Sequence, residues 1–207
     1  FTVEYHCRIP KEILKEYIKK FIYEKNNIQK YGCKYFNPEE KQEYQKWVSY
    51  LPKVDRGTQF SDITFLSSNQ ICRENQYPSL AQEVLDTSKV KSEFVCIMNA
   101  PCEIYDKNLL AVQYFRDADI VYFDYDFMNK DEGRYCAQLL PDYSYDTLRG
   151  YNYIGNCWFV RTSIIKQFDG QPWNPYLWLL QLSDQRLRWR HVSSILYGDN
   201  TTERNEE

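Results

Sequence analysis

The spacing of apolar residues predicts two helices in the first quarter of the chain. From Pro10 to residue 24, apolar side chains recur every three or four residues and lysines occupy the opposite face, which is the pattern of an amphipathic helix. We interpret this helix as one that docks on its own domain or on a partner chain, with a membrane-surface helix as the alternative. A second helix is predicted from Pro38 to Val48, and residues 51–57 (LPKVDRG) have the composition of a linker.

Short apolar runs alternate with helical patterns in the rest of the chain, which is typical of a layered α/β sheet. The predicted strands are residues 63–66, 94–98, 120–123 and 191–197, and the predicted helices are residues 79–90, 109–115, 163–168 and 177–182. We therefore predict a mixed, mainly parallel sheet flanked by helices, with an N-terminal helical extension. The predicted boundaries are 1–57 for the extension and linker, 58–198 for the α/β domain and 199–207 for a polar tail.

Composition narrows the class of protein without changing this picture. The 207 residues are 43% hydrophobic and 27% charged, which is typical of a globular chain with a sizeable core. A formal net charge of −3 gives no reason to expect nucleic acid as a partner. The seven cysteines include no C-x-x-C pair, and some lie within apolar runs, which favours a reducing, intracellular setting.

The sequence contains no apolar run that approaches the ~20 residues of a membrane span. We therefore expect a cytoplasmic protein, with membrane association only through the N-terminal helix. The same helix is the expected contact for a homo-oligomer or a partner chain. Because the sequence begins at Phe1, we expect the chain to be a piece of a longer protein.

Candidate chemistry is concentrated where the apolar run Ile120–Phe123 gives way to Asp124 and Asp126. A buried strand that ends in two carboxylates places both at its C-terminal edge, where open α/β sheets bind ligands. Contact with an acceptor sugar and capping of a turn are equally expected for these two residues. Arg134 is a candidate for binding phosphate or a charged polysaccharide, although a surface ion pair is the more common role.

Other side chains have both a functional and a structural interpretation. His191 is a candidate catalytic residue, but the sequence indicates no serine or cysteine partner, which favours a half-buried structural histidine. Residues 186–190 (RLRWR) form a basic run that suits a phosphate or a lipid headgroup, or equally a solvated face. Four tryptophans are candidates for stacking on sugar rings, although core packing is the more common role. They are Trp158, Trp173, Trp178 and Trp189.

Four short motifs follow one another at characteristic spacing in the second half of the chain. They are ADIVYFDYD from Ala118, GR from Gly133, PDYS from Pro141 and NYIG from Asn152. Their order and spacing resemble the second half of family-two glycosyltransferases with the A-type fold, the nucleotide-sugar enzymes of bacterial surface-polysaccharide synthesis. The resemblance implies a truncated, nucleotide-diphospho-sugar-transferase-like fold and sugar transfer from a nucleotide-sugar donor to a glycan acceptor. It implies substrate-binding roles for Asp124, Asp126, Arg134, Asp142 and Asn152.

The same resemblance places the family's donor and metal motif at Asn99, Pro101 and Cys102. In the family an Asp-x-Asp pair holds Mg²⁺ or Mn²⁺, which prefer carboxylate oxygens, whereas here the two aspartate positions are an asparagine and a proline. The position of the catalytic base is taken by Tyr176, which is a poor base at neutral pH because a tyrosine has a pKa of about 10. We therefore expect no metal and no other cofactor, unless other residues rebuild the site.

The stretch before Asn99 is also shorter than the resemblance requires. From Ile63 onward it has room for one strand–helix unit of ~30 residues, rather than the three units of a donor-binding half. Two hypotheses therefore stay open. The protein is a glycosyltransferase-like transferase, or it is a catalytically inactive relative that serves as a glycan-binding, regulatory or oligomerisation module. The unmatched motifs favour the second hypothesis, and binding of a nucleotide-sugar donor separates the two.

Overall fold

The computed structural model describes residues 38–50, 62–68, 80–105, 110, 112–129 and 133–200. The chain divides into two compact units, Phe1–Glu40 and Lys41–Glu207, and almost every described residue belongs to the second. The predicted helix at 10–24, the linker at 51–57 and the tail beyond Asn200 lie outside the described residues, so the predicted domain boundaries remain predictions.

Both helices and strands occur in the described residues, which confirms the α/β class, but they do not alternate regularly. The helices are α1 (Pro38–Ser49), α2 (Val112–Phe115), α3 (Tyr145–Gly150), α4 (Thr162–Ile165), which continues into a 3-10 turn (Lys166–Phe168), and α5 (Pro175–Ser183). The strands are β1 (Ile63–Ser68), β2 (Leu80–Gln82), β3 (Phe94–Met98), β4 (Cys102–Ile104), β5 (Ile120–Asn129), β6 (Gly133–Gln138), β7 (Cys157–Arg161) and β8 (Trp189–Asp199).

These eight strands form a strongly curled, half-barrel sheet. The strand order is β2-β1-β3-β7-β5-β8-β4, and β6 pairs with β5 outside this path. Strand β1 is parallel to β2 and β3, and β5 is parallel to β8, whereas the four other pairings are antiparallel. A mixed sheet is thus confirmed. The expectation of a mainly parallel sheet is wrong, because β7 lies between β3 and β5 and is antiparallel to both.

The four predicted strands are present, and three of them are longer than predicted, because β1 continues to Ser68, β5 continues to Asn129 and β8 extends from Trp189 to Asp199. The predicted helix at 79–90 is wrong. Its first residues form the short strand β2, and the Gln82 side chain then exchanges two hydrogen bonds with the backbone of Asp86, which turns the chain. The helix predicted at 109–115 is described only as the single turn α2.

Two hydrophobic clusters cover opposite faces of the sheet. Alternation along β5 sends Ile120 and Tyr122 into one cluster and Val121 and Phe123 into the other. Helix α5 packs on the first face, which we call the α5-side cluster, and α2 packs on the second, the α2-side cluster. A strand buried on both faces reads as a continuous apolar run, which is why β5 could be predicted from the sequence.

Among the described residues, none of the helices is both long and apolar enough to cross a membrane.

Candidate functional site

The sheet topology brings Asn99, which follows β3, next to the residues that precede β7. Strands β3, β5 and β8 run in the same direction, and β7 runs against β3 and β5, so the residues after β3 and the residues before β7 meet at one edge of the sheet. Asn99 N donates to Asn156 O at 2.8 Å, and Asn156 Nδ2 donates to the buried Asp199 Oδ2 at 2.7 Å. These hydrogen bonds join the end of β3, the loop before β7 and the end of β8.

Strand β5 does not end at the predicted pair of carboxylates. It continues beyond Asp126 to Asn129 because β6 pairs with it. Both carboxylates consequently lie within the strand and are buried, with exposed fractions of 3% for Asp124 and 0% for Asp126. They belong to two different hydrogen-bond networks.

The first network surrounds Asp126 with three donors. The Tyr105 hydroxyl donates to Oδ1 at 2.7 Å, and the Tyr44 hydroxyl and Arg134 Nε donate to Oδ2, each at 2.8 Å. The Arg134 guanidinium also lies 3.7 Å above the centre of the Tyr105 ring. Arg134 thus forms an ion pair, as favoured from the sequence, but the pair is buried rather than at the surface.

Burial controls the protonation of this network. It raises the pKa of Asp126, although Arg134 and the two tyrosine hydroxyls act in the opposite direction. Burial and the neighbouring carboxylate raise the pKa of Tyr44 and of Tyr105 far above the usual value for tyrosine. Both hydroxyls therefore keep their protons at neutral pH and serve as hydrogen-bond donors. A buried carboxylate held by three donors is the arrangement expected of a structural group.

The second network joins Asp124 to His191. The His191 Nε2 lies 2.7 Å from Asp124 Oδ1, which also accepts a hydrogen bond from Leu140 N at 2.8 Å. The imidazole stacks on the Tyr122 ring with centroids 5.1 Å apart. His191 is more deeply buried than the half-buried residue predicted, since only 4% of its side chain is exposed. Asp124 thus accepts a hydrogen bond from the backbone of the segment that follows β6, and its contact with an acceptor sugar stays a prediction.

The remaining predicted substrate-binding residues differ in accessibility. The Asp142 side chain is 99% exposed, and its Oδ1 lies 3.6 Å from His191 Nδ1. Asn152 Nδ2 donates to Gly155 O at 3.0 Å, while its Oδ1 is buried without a hydrogen-bond partner among the described residues. Among the described residues, Asp142 contacts the second network and Arg134 belongs to the first, whereas Asn152 bonds to the backbone of Gly155.

The residues at the donor and metal positions make hydrogen bonds and contacts within the protein. Asn99 is exposed, Pro101 O accepts a hydrogen bond from Asn200 N at 3.0 Å, and the buried Cys102 Sγ contacts Ala100 O at 3.2 Å. Burial raises the pKa of the Cys102 thiol, so that it does not supply a thiolate. Within the described part of the chain, no group of three or more histidine, cysteine, aspartate or glutamate side chains could hold a metal ion.

The position of the catalytic base also has a structural contact. The Tyr176 hydroxyl, on α5, donates to Leu148 O on α3 at 2.8 Å. It thereby ties two helices together.

The aromatic and basic candidates also make structural contacts. Trp158 and Trp178 are fully buried, and Trp189 stacks on Tyr143 with ring centroids 4.2 Å apart. Arg188 pairs with Asp119, and Arg190 Nη1 donates to Gln113 O at 2.9 Å. These five side chains therefore have structural partners within the protein.

Sequence reasoning missed the two tyrosines that donate to Asp126, Tyr44 and Tyr105. It also missed Asp199, which binds Asn156. Tyr44 lies 82 residues before Asp126, and nothing in its local pattern distinguishes it from a helix contact with the core. The high aromatic content, 17% of the chain, was the only signal for the tyrosine donors, and it names no residue.

No family model and no curated protein matches this sequence.

Proposed function

We propose that this protein is a glycosyltransferase-like α/β protein of the bacterial surface-polysaccharide class that acts as a binding or regulatory module rather than as a sugar transferase. The observation that carries the proposal is the burial of Asp124 and Asp126. Both carboxylates accept hydrogen bonds from the protein's own side chains and backbone. A ligand at this edge would have to displace those donors.

The residues at the family's catalytic positions support the same proposal. Asn99 and Pro101 offer no carboxylate to a divalent cation, and the Tyr176 hydroxyl is bonded to a backbone carbonyl. Two buried cysteines that form no disulfide, Cys96 and Cys157, fit the reducing compartment in which polysaccharide precursors would be handled.

A transferase with a rebuilt site is the second candidate, and one observation favours it. Asp142 is an exposed carboxylate whose Oδ1 faces His191 Nδ1 at 3.6 Å, and Asp124 holds the other nitrogen. An imidazole oriented by a carboxylate is a known arrangement for a general base. In this candidate, Asp142 and His191 would take the proton from an acceptor hydroxyl.

Calorimetric titration of UDP, dTDP and their sugars, with and without Mn²⁺, tests the proposal. We expect no binding in a folded sample. Metal-dependent binding at micromolar strength, which corresponds to about −8 kcal/mol, would overturn the proposal in favour of the rebuilt transferase.

A matched variant makes a negative result interpretable. Asn99→Asp combined with Pro101→Asp supplies the pair of carboxylates of the family motif, one at the exposed position 99 and one at the buried position 101. If the rest of a donor site is intact, this double variant gains Mn²⁺-dependent nucleotide binding. If the edge is structural, as proposed, the double variant stays without binding. A titration with surface-polysaccharide fragments then asks whether glycan binds in the absence of nucleotide.

A further inference from the structure

The residues 139–144 connect β6 to α3. Tyr143 stacks on Trp189 of β8, and three further contacts of different chemistry attach the segment to the sheet near Asp124. Leu140 N donates to Asp124 Oδ1, and the Tyr122 hydroxyl donates to Pro141 O, each at 2.8 Å. The third contact is the one between His191 Nδ1 and Asp142 Oδ1, at 3.6 Å. Histidine is the side chain whose charge ordinarily changes near neutral pH, so the third contact is the one that protons can control.

The contact with Asp124 decides which nitrogen of His191 carries the proton. Because a carboxylate only accepts, the 2.7 Å contact at Nε2 requires an N–H there in both charge states. The neutral imidazole must then present the lone pair of Nδ1 to the Asp142 carboxylate, whereas the imidazolium presents a second N–H. The interaction with Asp142 is consequently repulsive in the neutral state and attractive in the charged state.

We propose that His191 is a proton-controlled latch that holds residues 139–144 over Asp124. With a charged imidazole Asp142 is held beside His191. With a neutral imidazole Asp142 is released, while Leu140, Pro141 and the stack of Tyr143 on Trp189 keep their contacts. The Asp142 side chain is 99% exposed, so its release requires no movement of the core.

The groups that surround the imidazole determine which of its contacts depends on its charge. The titratable groups that face it are Asp124 from β5, Asp142 from the loop, and Tyr122, whose ring stacks on it. Burial raises the pKa of Tyr122 far above its usual value, so Tyr122 stays neutral while histidine titrates. Its hydrogen bond to Pro141 O is therefore constant across the range.

Release of Asp142 loosens the segment that lies on a buried carboxylate and leads to Ser144, the residue that caps α3. The latch thus couples proton concentration to the stability of the loop beside Asp124, while Leu140 N stays bonded to Asp124 Oδ1. It is independent of the proposed function, because the same contacts operate in a binding module and in a transferase.

Amide hydrogen exchange measured by NMR tests the latch in the folded protein. After correction for the intrinsic pH dependence of exchange, we expect the amides of Asp142 and Tyr143 to exchange about threefold faster above the His191 titration than below it, the size expected for an exposed ion pair. The His191 ring-proton resonance, followed in the same sample, locates the titration. In Asp142→Asn the step should vanish.

The variant Asp146→Asn is the matched control, because it removes one charge from the exposed first turn of α3 and leaves Asp142 in place. The step should persist in this variant. A wild-type profile without a step, a step that survives in Asp142→Asn, or a step that disappears equally in Asp146→Asn would each overturn the proposal.

Discussion

Gly155 shows how one residue shapes the loop before β7. Its φ of +90° lies in the region that favours glycine. A Cβ at this position would lie 2.6 Å from the Tyr197 hydroxyl and 2.8 Å from Tyr125 Cε1. Those two rings are stacked, with centroids 5.1 Å apart. The missing side chain therefore lets the loop before β7 approach a rigid aromatic pair.

Replacement of Gly155 by alanine should cost stability in two ways, through backbone strain and through the clash with the stacked rings. We expect Gly155→Ala to lower the free energy of unfolding by about 2–4 kcal/mol, measured by urea denaturation. Gly170→Ala is the matched control, because Gly170 has a φ of +81° but open space where its Cβ would lie. It should cost only about 1 kcal/mol. Equal losses in the two variants would mean that the aromatic pair yields and that strain alone decides.

Asp126 shows which properties of a single residue could be predicted from the sequence and which could not. Its position on a buried strand could be predicted from the apolar run before it, and a structural use of the carboxylate was one of the two expected roles. Its donors could not be predicted, because Tyr44 and Tyr105 reach it from segments 82 and 21 residues away. Only the curl of the sheet brings these segments together.

At the scale of elements, Asp119 fastens the start of β5 to the start of β8. It accepts hydrogen bonds from Arg188 N at 2.9 Å, Nε at 3.1 Å and Nη2 at 2.9 Å. The Arg188 side chain and backbone, helped by Arg161, lower the pKa of Asp119 below its usual value. The two parallel strands thus begin at an ionised carboxylate with a defined partner.

The lowered pKa of Asp119 predicts a pH dependence whose sign can be stated. A carboxyl with a depressed pKa in the folded state adds stability above its unfolded-state pKa and loses that stability as the pH falls through the folded-state pKa. We expect Asp119→Asn to lower the free energy of unfolding by about 1 kcal/mol at neutral pH. The difference from wild type should shrink on acidification, as followed by urea denaturation from neutral to acidic pH. Asp146→Asn, which changes an exposed carboxyl, serves as the control, and a difference that grows in acid would contradict the assignment.

Element types were predictable where the apolar pattern was strong, and strand neighbours were not. The runs at 94–98 and 120–123 are buried on both faces, and both form strands. The predicted helix at 79–90 failed because leucine and alanine at its start suit either structure. The two hydrogen bonds between the Gln82 side chain and the Asp86 backbone, which turn the chain, are not encoded by the apolar pattern. The antiparallel place of β7 depends on pairing between distant residues, such as Val95 with Val160, which a local pattern does not encode.

At the scale of the whole second unit, the two hydrophobic clusters share one sheet. Trp158 and Trp178 lie in the α5-side cluster, and Cys96 and Cys157 lie in the α2-side cluster with their sulfurs 3.4 Å apart. Strand β7 contributes alternate residues to both clusters, as β5 does. Loss of packing on one face therefore disturbs the backbone that carries the other face.

This shared sheet predicts that both faces unfold together. Tryptophan fluorescence reports mainly on the α5-side cluster, and thiol labelling of the buried cysteines reports on the α2-side cluster. In wild-type protein we expect the two probes to give the same urea midpoint.

Leu179→Ala, a fully buried change on the α5 side, should lower both midpoints equally and cost about 2–5 kcal/mol. Leu177→Ala on the same helix, where the side chain is 43% exposed, should cost less than about 1 kcal/mol. Thiols that react at lower urea than the tryptophans respond, in wild type or in Leu179→Ala, would show that the two faces are separate cooperative units.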